Sequence, residues 1–280
     1  MARVTTPEAE ALLDQEIRVL DKGFVRLVDY MGGDDRIVQA ARVSYGTGTK
    51  TVREDKDLIY YLLRNKHSSP FEQVVLTFHL KMPIFVARQW VRHRTARMNE
   101  ISGRYSVLSD EFHVPDCRSV RAQSTKNKQG RADEEMDPAI ASAYIASIEA
   151  GQTQLYAGYT DYLKTDIARE LARINLPLSI YTQCYWQMDL HNLFHFLNLR
   201  LNPHAQTEIR SYAEVLATCA QAVAPLAYAA FQEYILYSKF FSRTEMEVLL
   251  DLINGNEPHQ LEGKALQEFL AKLGKTNGYT

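Results

Sequence analysis

The 280-residue sequence predicts an α+β fold, a helix-rich single domain on a small mixed or antiparallel sheet. Three observations predict it. Strand-like runs at Phe24–Met31, Val74–Lys81 and Ser179–Met188 are separated by longer stretches of helical periodicity. Those runs do not follow the regular strand, helix, strand rhythm of a doubly wound sheet, and no Gly-x-Gly-x-x-Gly follows a strand, which argues against a dinucleotide-binding sheet. Finally, 46% apolar and 24% charged residues with only 13 Gly and 9 Pro match a globular chain and exclude disordered, collagen-like and coiled-coil classes.

Taken in order, Phe24–Met31 alternates apolar and polar residues as a half-buried strand does, and Gly32-Gly33 closes it. Asp34-Asp35 reads as the cap of a helix over about Arg36 to Tyr45, followed by the loop Gly46 to Lys50, which lacks P-loop spacing. A second helix runs from about Asp55 to Asn65 with Leu58, Tyr61 and Leu62 on one face. After the Val74–Lys81 strand, Pro83 suits a first helical turn, and the helix extends to about Arg94 with Ile84, Ala87, Trp90 and Val91 as its apolar residues. Arg118 to Pro138 is polar and aperiodic, an exposed loop to which no function is assigned. Ala139 to Arg173 is helical, Pro177 ends it, and Ser179–Met188 is rich in Tyr, Ile and Trp as a strand should be. Asp189–Leu201 and Glu208 to about Tyr237 are helices, the second kinked near Pro225. The expected organisation is one domain over 1–280, with a core at about 24–237 and a peripheral C-terminal extension at 238–280.

With 32 Lys and Arg against 34 Asp and Glu, overall charge supports no polyanion-binding role, so any anion site must be local. Three cysteines at wide spacings, with no Cys-x-x-Cys pair, exclude a zinc ribbon or disulfide framework and make a reducing cytoplasm the expected location. The N-terminus has no apolar signal core, and the apolar run Val223 to Phe231 contains Pro225 and falls well short of the roughly 20 residues of a membrane span, so neither export nor a membrane partner is expected.

The chemistry concentrates between Arg88 and Arg104. Five arginines, no lysine and the single acid Glu100 give that segment a local charge of +4. Exclusive use of Arg points to planar, multi-donor recognition of phosphate or carboxylate. On a helix, Arg88 and Arg92 share a face, while Arg92 and Arg94 point about 200° apart. Asn99, Ser102 and Gly103 add short donors and backbone freedom suited to a phosphate. A solvated basic face or a nucleic-acid patch fits the composition as well as a small-anion site does. The interleaved Trp90, Val91 and Ile101 favour the latter, because a half-buried guanidinium needs a counter-anion.

Arg92-His93-Arg94, seven residues and then Ser102, extended by Gly103-Arg104-Tyr105, resembles the signature of the flavin-dependent thymidylate synthases. Four further blocks fit in family order: Gln89-Trp90-Val91, His67-Ser68-Ser69-Pro70-Phe71-Glu72, Ala172-Arg173-Ile174-Asn175-Leu176-Pro177, and Phe196 to Arg200 with Pro203-His204-Ala205-Gln206. The resemblance covers about Phe24 to Tyr237 and implies that family's fold. It also implies methylation of dUMP to dTMP, with methylenetetrahydrofolate as carbon donor and NADPH-reduced FAD as hydride source, in a homotetramer whose sites are built across subunits.

By the same resemblance, Gln89, Trp90, Val91, Arg92, Glu100, Ile101, Ser102, Gly103, Arg104, Arg173 and Arg200 surround dUMP. Ser69, Arg92, His93, Arg94, Glu100, Asp189, Leu190, His191 and His195 surround FAD. Some family members carry Asn and Arg at the positions of Asp189 and His191. Arg200 is the implied catalytic residue, its guanidinium stabilising negative charge at uracil N3 and O2 so that C5 becomes more nucleophilic. Cys184, in a strand pattern, and Cys219, in an apolar helix, read as structural. Ser102 has no adjacent base to make it a nucleophile. Two alternatives stand beside this reading. One is a nucleic-acid or nucleotide-binding module without catalysis. The other is a metal-dependent hydrolase using Asp189, His191, His195 and His204, although that helical His pair lacks a third-ligand pattern and no resident metal is expected.

Overall fold

A computed structural model describes residues 5–43, 52–125, 129–256 and 260–274, with the backbone alone at 52–54. The short helix α1 (Pro7–Glu10) leads into β1 (Glu16–Val19) and β2 (Gly23–Met31), neither of the first two legible as an element in the sequence. The sheet is completed by β3 (Val75–Pro83), β4 (Arg97–Glu100) and β7 (Tyr181–Asp189) in the order β1-β2-β3-β7-β4, every pair antiparallel. Alternation in β3 and β7 sends Leu76, Phe78, Leu80, Cys184, Trp186 and Met188 into the core. The opposite face carries His79, stacked on Tyr185 at 4.8 Å and hydrogen-bonded to Arg26 and Gln183.

Helices cover the apolar face. Against the strands lie α4 (Ile84–Trp90) on β3, α8 (Thr207–Val223) on β2 and α7 (Leu190–Arg200), which runs on from β7, while α2 (Asp34–Arg42), α3 (Val52–Arg64) and α9 (Pro225–Phe231) pack on one another and α9 on α8. Tyr212 on α8 donates to the Lys81 carbonyl across Gly23, where a Cβ would meet both the hydroxyl and, at 2.7 Å, the carbonyl oxygen. Only glycine fits there. Away from the sheet lie α5 (Pro138–Lys164), the single turn α6 (Arg169–Ala172) and a two-stranded hairpin, β5 (Arg121–Gln123) with β6 (Arg131–Glu135).

Several sequence expectations are corrected. Gly33, not Asp34-Asp35, occupies the N-cap of α2, and the Asp34 carboxylate instead accepts from the N–H groups of Leu226 and Ala227 at 2.8 and 2.9 Å, capping α9. Tyr45 and the loop Gly46 to Lys50 lie outside the described residues. The buried stripe of α3 is Ile59, Leu62 and Leu63, one step round from the expected face, with Tyr61 exposed. α4 stops at Trp90, four residues early, so Arg92 lies in a turn and Arg94 in the irregular chain after it, and the shared helical face of Arg88 and Arg92 does not exist. Arg118 to Pro138 contains the β5–β6 hairpin rather than an unbroken loop. The expected helix to Arg173 breaks at Asp166, whose φ of 59° ends α5. Helix α8 ends before Pro225, where the missing N–H stops the ladder, and Gln232–Leu236 form a π-helical turn.

The chain divides into two compact units, one through Phe231 and one from Gln232. The second holds α10 (Arg243–Ile253) and α11 (Gly263–Lys272) around Val248, Phe269 and Leu270, with a capping box from Ser242 and Glu245 and Lys272 paired to Glu245 at 2.6 Å.

Candidate active site

Two groups of the expected residues come together in one subunit, carried by neighbouring elements. The first forms where α7 ends. Arg200 donates Nε to His93 Nε2 at 3.0 Å and an Nη2 proton to the Gln89 carbonyl at 3.3 Å. Burial, the Arg200 guanidinium and His195 together push the His93 imidazole down to about 4. It is therefore neutral near pH 7, which its role as acceptor requires. His195 stands 6.2 Å from His93 between ring centres, Phe196 packs on it at 4.6 Å, and Gln89 donates to Gln206 at the start of α8. Burial also lowers the Arg200 pKa.

The second group lies on and beyond β4. That edge strand pairs Glu100 with Cys184 on β7, and the Ile101 N–H continues the ladder to the Gln183 carbonyl at 2.9 Å. Glu100 accepts from the Thr182 hydroxyl at 2.6 Å. Ser102 Oγ accepts from the Arg104 N–H at 3.3 Å, and its carbonyl accepts from Tyr105 and Ser106, forming a tight turn. Arg173 lies across Gly103, where a Cβ would sit 3.1 Å from Arg173 Cδ, so the glycine makes room for the guanidinium. Arg104 pairs with Glu170 at 3.0 Å on an exposed surface. The two groups share no hydrogen bond among the described residues. Strand β7 links them: it pairs with β4 and runs directly into α7, where Asp189 caps the helix by accepting from the Asn192 N–H at 2.9 Å.

Trp90 and Leu190 were expected beside ligands, yet both are fully buried. Their side chains back the site from the core, with Trp90 against Trp186, Phe196 and Tyr212. Val91 and Ile101 are exposed, as are Ser69, Arg92, Arg94 and His195, while His191 is half-buried. Arg92 and Arg94 are exposed and have no ion-pair partner among the described residues. No group of three His, Cys, Asp or Glu among the described residues is placed to hold a metal ion. Burial pushes the Cys184 and Cys219 thiols up to about 12, which leaves neither a thiolate near neutral pH. Among the described residues no helix is long and apolar enough to cross a membrane. Sequence reasoning missed Thr182, Glu170 and the His93–Arg200 bond; the last joins residues 107 apart and has no local signature.

Fold and site thus define an α+β class with guanidinium groups mounted at a sheet edge and a helix end. Residues 26–226 match the family described as thymidylate synthase complementing protein, and residues 240–277 match the thymidylate synthase ThyX C-terminal domain. A flavin-dependent thymidylate synthase of Treponema denticola is 60% identical over 93% of this chain and 98% of its own length. One from Thermus thermophilus is 52% identical over 92% and 95%. Among solved structures, the UMP/dUMP methylase PolB of Streptomyces cacaoi bound with 5-Br dUMP superposes with a TM-score of 0.72 at 32% identity, over 79% of this chain and 99% of that one. The chain belongs to the flavin-dependent thymidylate synthase family.

Proposed function

We propose that this chain methylates dUMP to dTMP, taking the carbon from methylenetetrahydrofolate and the hydride from FAD reduced by NADPH, as a cytoplasmic homotetramer with sites built across subunits. The catalytic and binding residues all belong to the unit through Phe231. One observation carries the reading: the half-buried Arg200 guanidinium is aimed by a neutral imidazole. Of its five N–H groups two are engaged, by His93 and Gln89, and the others remain for a pyrimidine ring.

Arg200 in this role stabilises negative charge spread onto uracil N3 and O2 and so raises electron density at C5. A charged group already oriented costs no reorganisation as the reaction proceeds. Arg173 over Gly103, beside the Ser102 turn and Arg104, suits the nucleotide phosphate, because its guanidinium has no ion-pair partner among the described residues and can make charge-assisted contacts. Arg92 and Arg94 suit a flavin diphosphate, with Ser69, His93, Glu100, Asp189, His191 and His195 around the cofactor. Reduced flavin supplies the hydride that completes the methyl group. The buried, protonated thiols of Cys184 and Cys219 favour this electrostatic activation over attack by a cysteine on the ring.

The purified protein is expected to be yellow, to bleach with NADPH, and to make dTMP only when dUMP and methylenetetrahydrofolate are both present. Colourless protein that takes up no FAD and forms no dTMP would refute the reading. Light scattering on the flavin-loaded protein tests the tetramer.

A further inference from the structure

The cleft between the β5–β6 hairpin and the start of α8 carries positive charge that is only partly neutralised among the described residues. It encloses about 650 Å³, and Arg118, Arg121, Arg131 and Arg210 line it against a single acid, Asp133. Arg131 is paired with Glu208, and Arg210 stands 3.8 Å from Glu214. Arg121 is held differently. It donates Nε to the Arg118 carbonyl at 3.1 Å and Nη1 to the Asp133 carbonyl at 2.9 Å, so neutral oxygens fix its direction, and although Glu135 stands opposite it in the hairpin register the two form no ion pair. Arg118 is exposed, and among the described residues neither it nor Arg121 has a carboxylate partner. The first turn of α8, opening at Thr207 in the cleft wall, adds the positive end of a 17-residue helix.

A guanidinium oriented but not neutralised is suited to an anion brought by a ligand. The position of the cleft says which ligand. Gln206 forms part of its wall and accepts from Gln89, whose carbonyl accepts from Arg200, so the cleft adjoins the catalytic group.

We propose that this cleft holds the anionic tail of a co-substrate whose reactive end lies beside Arg200. The inference rests on the folate- and NADPH-dependent reading above. The shared chemistry is a carboxylate or phosphate carried well away from the reacting atoms: the glutamate carboxylates of a folate, or the ribose phosphate of NADPH.

The test is steady-state dTMP formation by the flavin-loaded wild type, Arg118→Gln and the double variant Arg118→Gln/Arg121→Gln. KM is measured for monoglutamyl and polyglutamyl methylenetetrahydrofolate, and for NADH and NADPH. In the double variant, the KM of the more anionic member of one pair rises about tenfold, as loss of two partly exposed charged contacts requires, while its less anionic counterpart changes less than about twofold. The pair that responds identifies the tail. Arg118→Gln, at an exposed side chain whose loss does not threaten the fold, gives about a threefold rise in the same pair. Unchanged KM ratios in both pairs overturn the cleft assignment alone, whereas a wild type without flavin or dTMP formation overturns the functional reading and the cleft with it.

Discussion

The imidazole that aims Arg200 is the most informative place to perturb this protein. His93 titrates at about 4 because it is partly buried and faces Arg200 and His195, against 6.5 for a free histidine. Between those values the unfolded chain binds a proton that the folded chain refuses, so stability falls as pH falls from 6.5 toward 4. At about 1.4 kcal/mol per pH unit the full difference is about 3 kcal/mol, and solvent screening of a partly exposed ring reduces it to about 1–2 kcal/mol. His93→Gln retains an acceptor for Arg200 Nε but cannot take up the proton. Urea unfolding of wild type and His93→Gln at both ends of the window should therefore show wild type losing about 1–2 kcal/mol more than the variant. Equal losses would mean that neither burial nor the guanidinium bears on His93, and the arrangement inferred around Arg200 would fall with it.

Arg200→Ala should bind FAD normally by absorbance yet lose dTMP formation; unchanged turnover would refute its role in ring activation. Burial holds the Asp34 carboxyl up at about 6 despite its two N–H partners, and Asp35 adds to the effect. The protonated form is favoured in the fold, so the stabilisation is present below about 3.8 and lost as pH rises through about 6. Asp34→Asn, which keeps an acceptor without the charge, should be at least as stable as wild type at pH 7 by thermal unfolding, and Asp34→Ala about 1 kcal/mol less stable than the Asn variant. Gly103→Ala places a methyl against Arg173 and Leu108 at 3.1–3.2 Å, and should raise the KM for dUMP about tenfold with little change in melting temperature. Iodoacetamide applied to native protein should label Cys117 alone, read by peptide mass spectrometry, and Cys184→Ala should still make dTMP.

Strands β2, β3 and β7 were legible because each buries one face, so apolar residues recur at every second position and periodicity alone finds them. Strand β4 was not: Arg97-Met98-Asn99-Glu100 is an edge strand with no fully buried residue, recognisable only through its ladder to Tyr185 and Cys184. The β5–β6 hairpin escaped for the same reason, since its residues are polar and it packs no apolar face. Helix α4 was overrun because Val91 continues the apolar pattern, although the turn after Trp90 leaves it exposed. In the site, the Arg-His-Arg segment stood out by residue type and spacing, whereas Arg200 was reached only through the family resemblance. What no spacing conveys is that Arg200 donates a hydrogen bond to His93, or that Arg173 rests on Gly103, because those contacts exist only once β7 and α7 bring distant segments side by side.

The chain has two tryptophans, Trp90 and Trp186, and the fold places both in one aromatic cluster, 5.2 Å apart between ring centres and each packed on Phe196, the same ring that supports His93. All of the indole emission of this protein therefore originates in the aromatic cluster that backs His93. A flavin held as proposed around His93 and His195 would accept the excited state of that cluster, so its occupancy could be followed as quenching in unlabelled protein, with no dye attached and no side chain replaced.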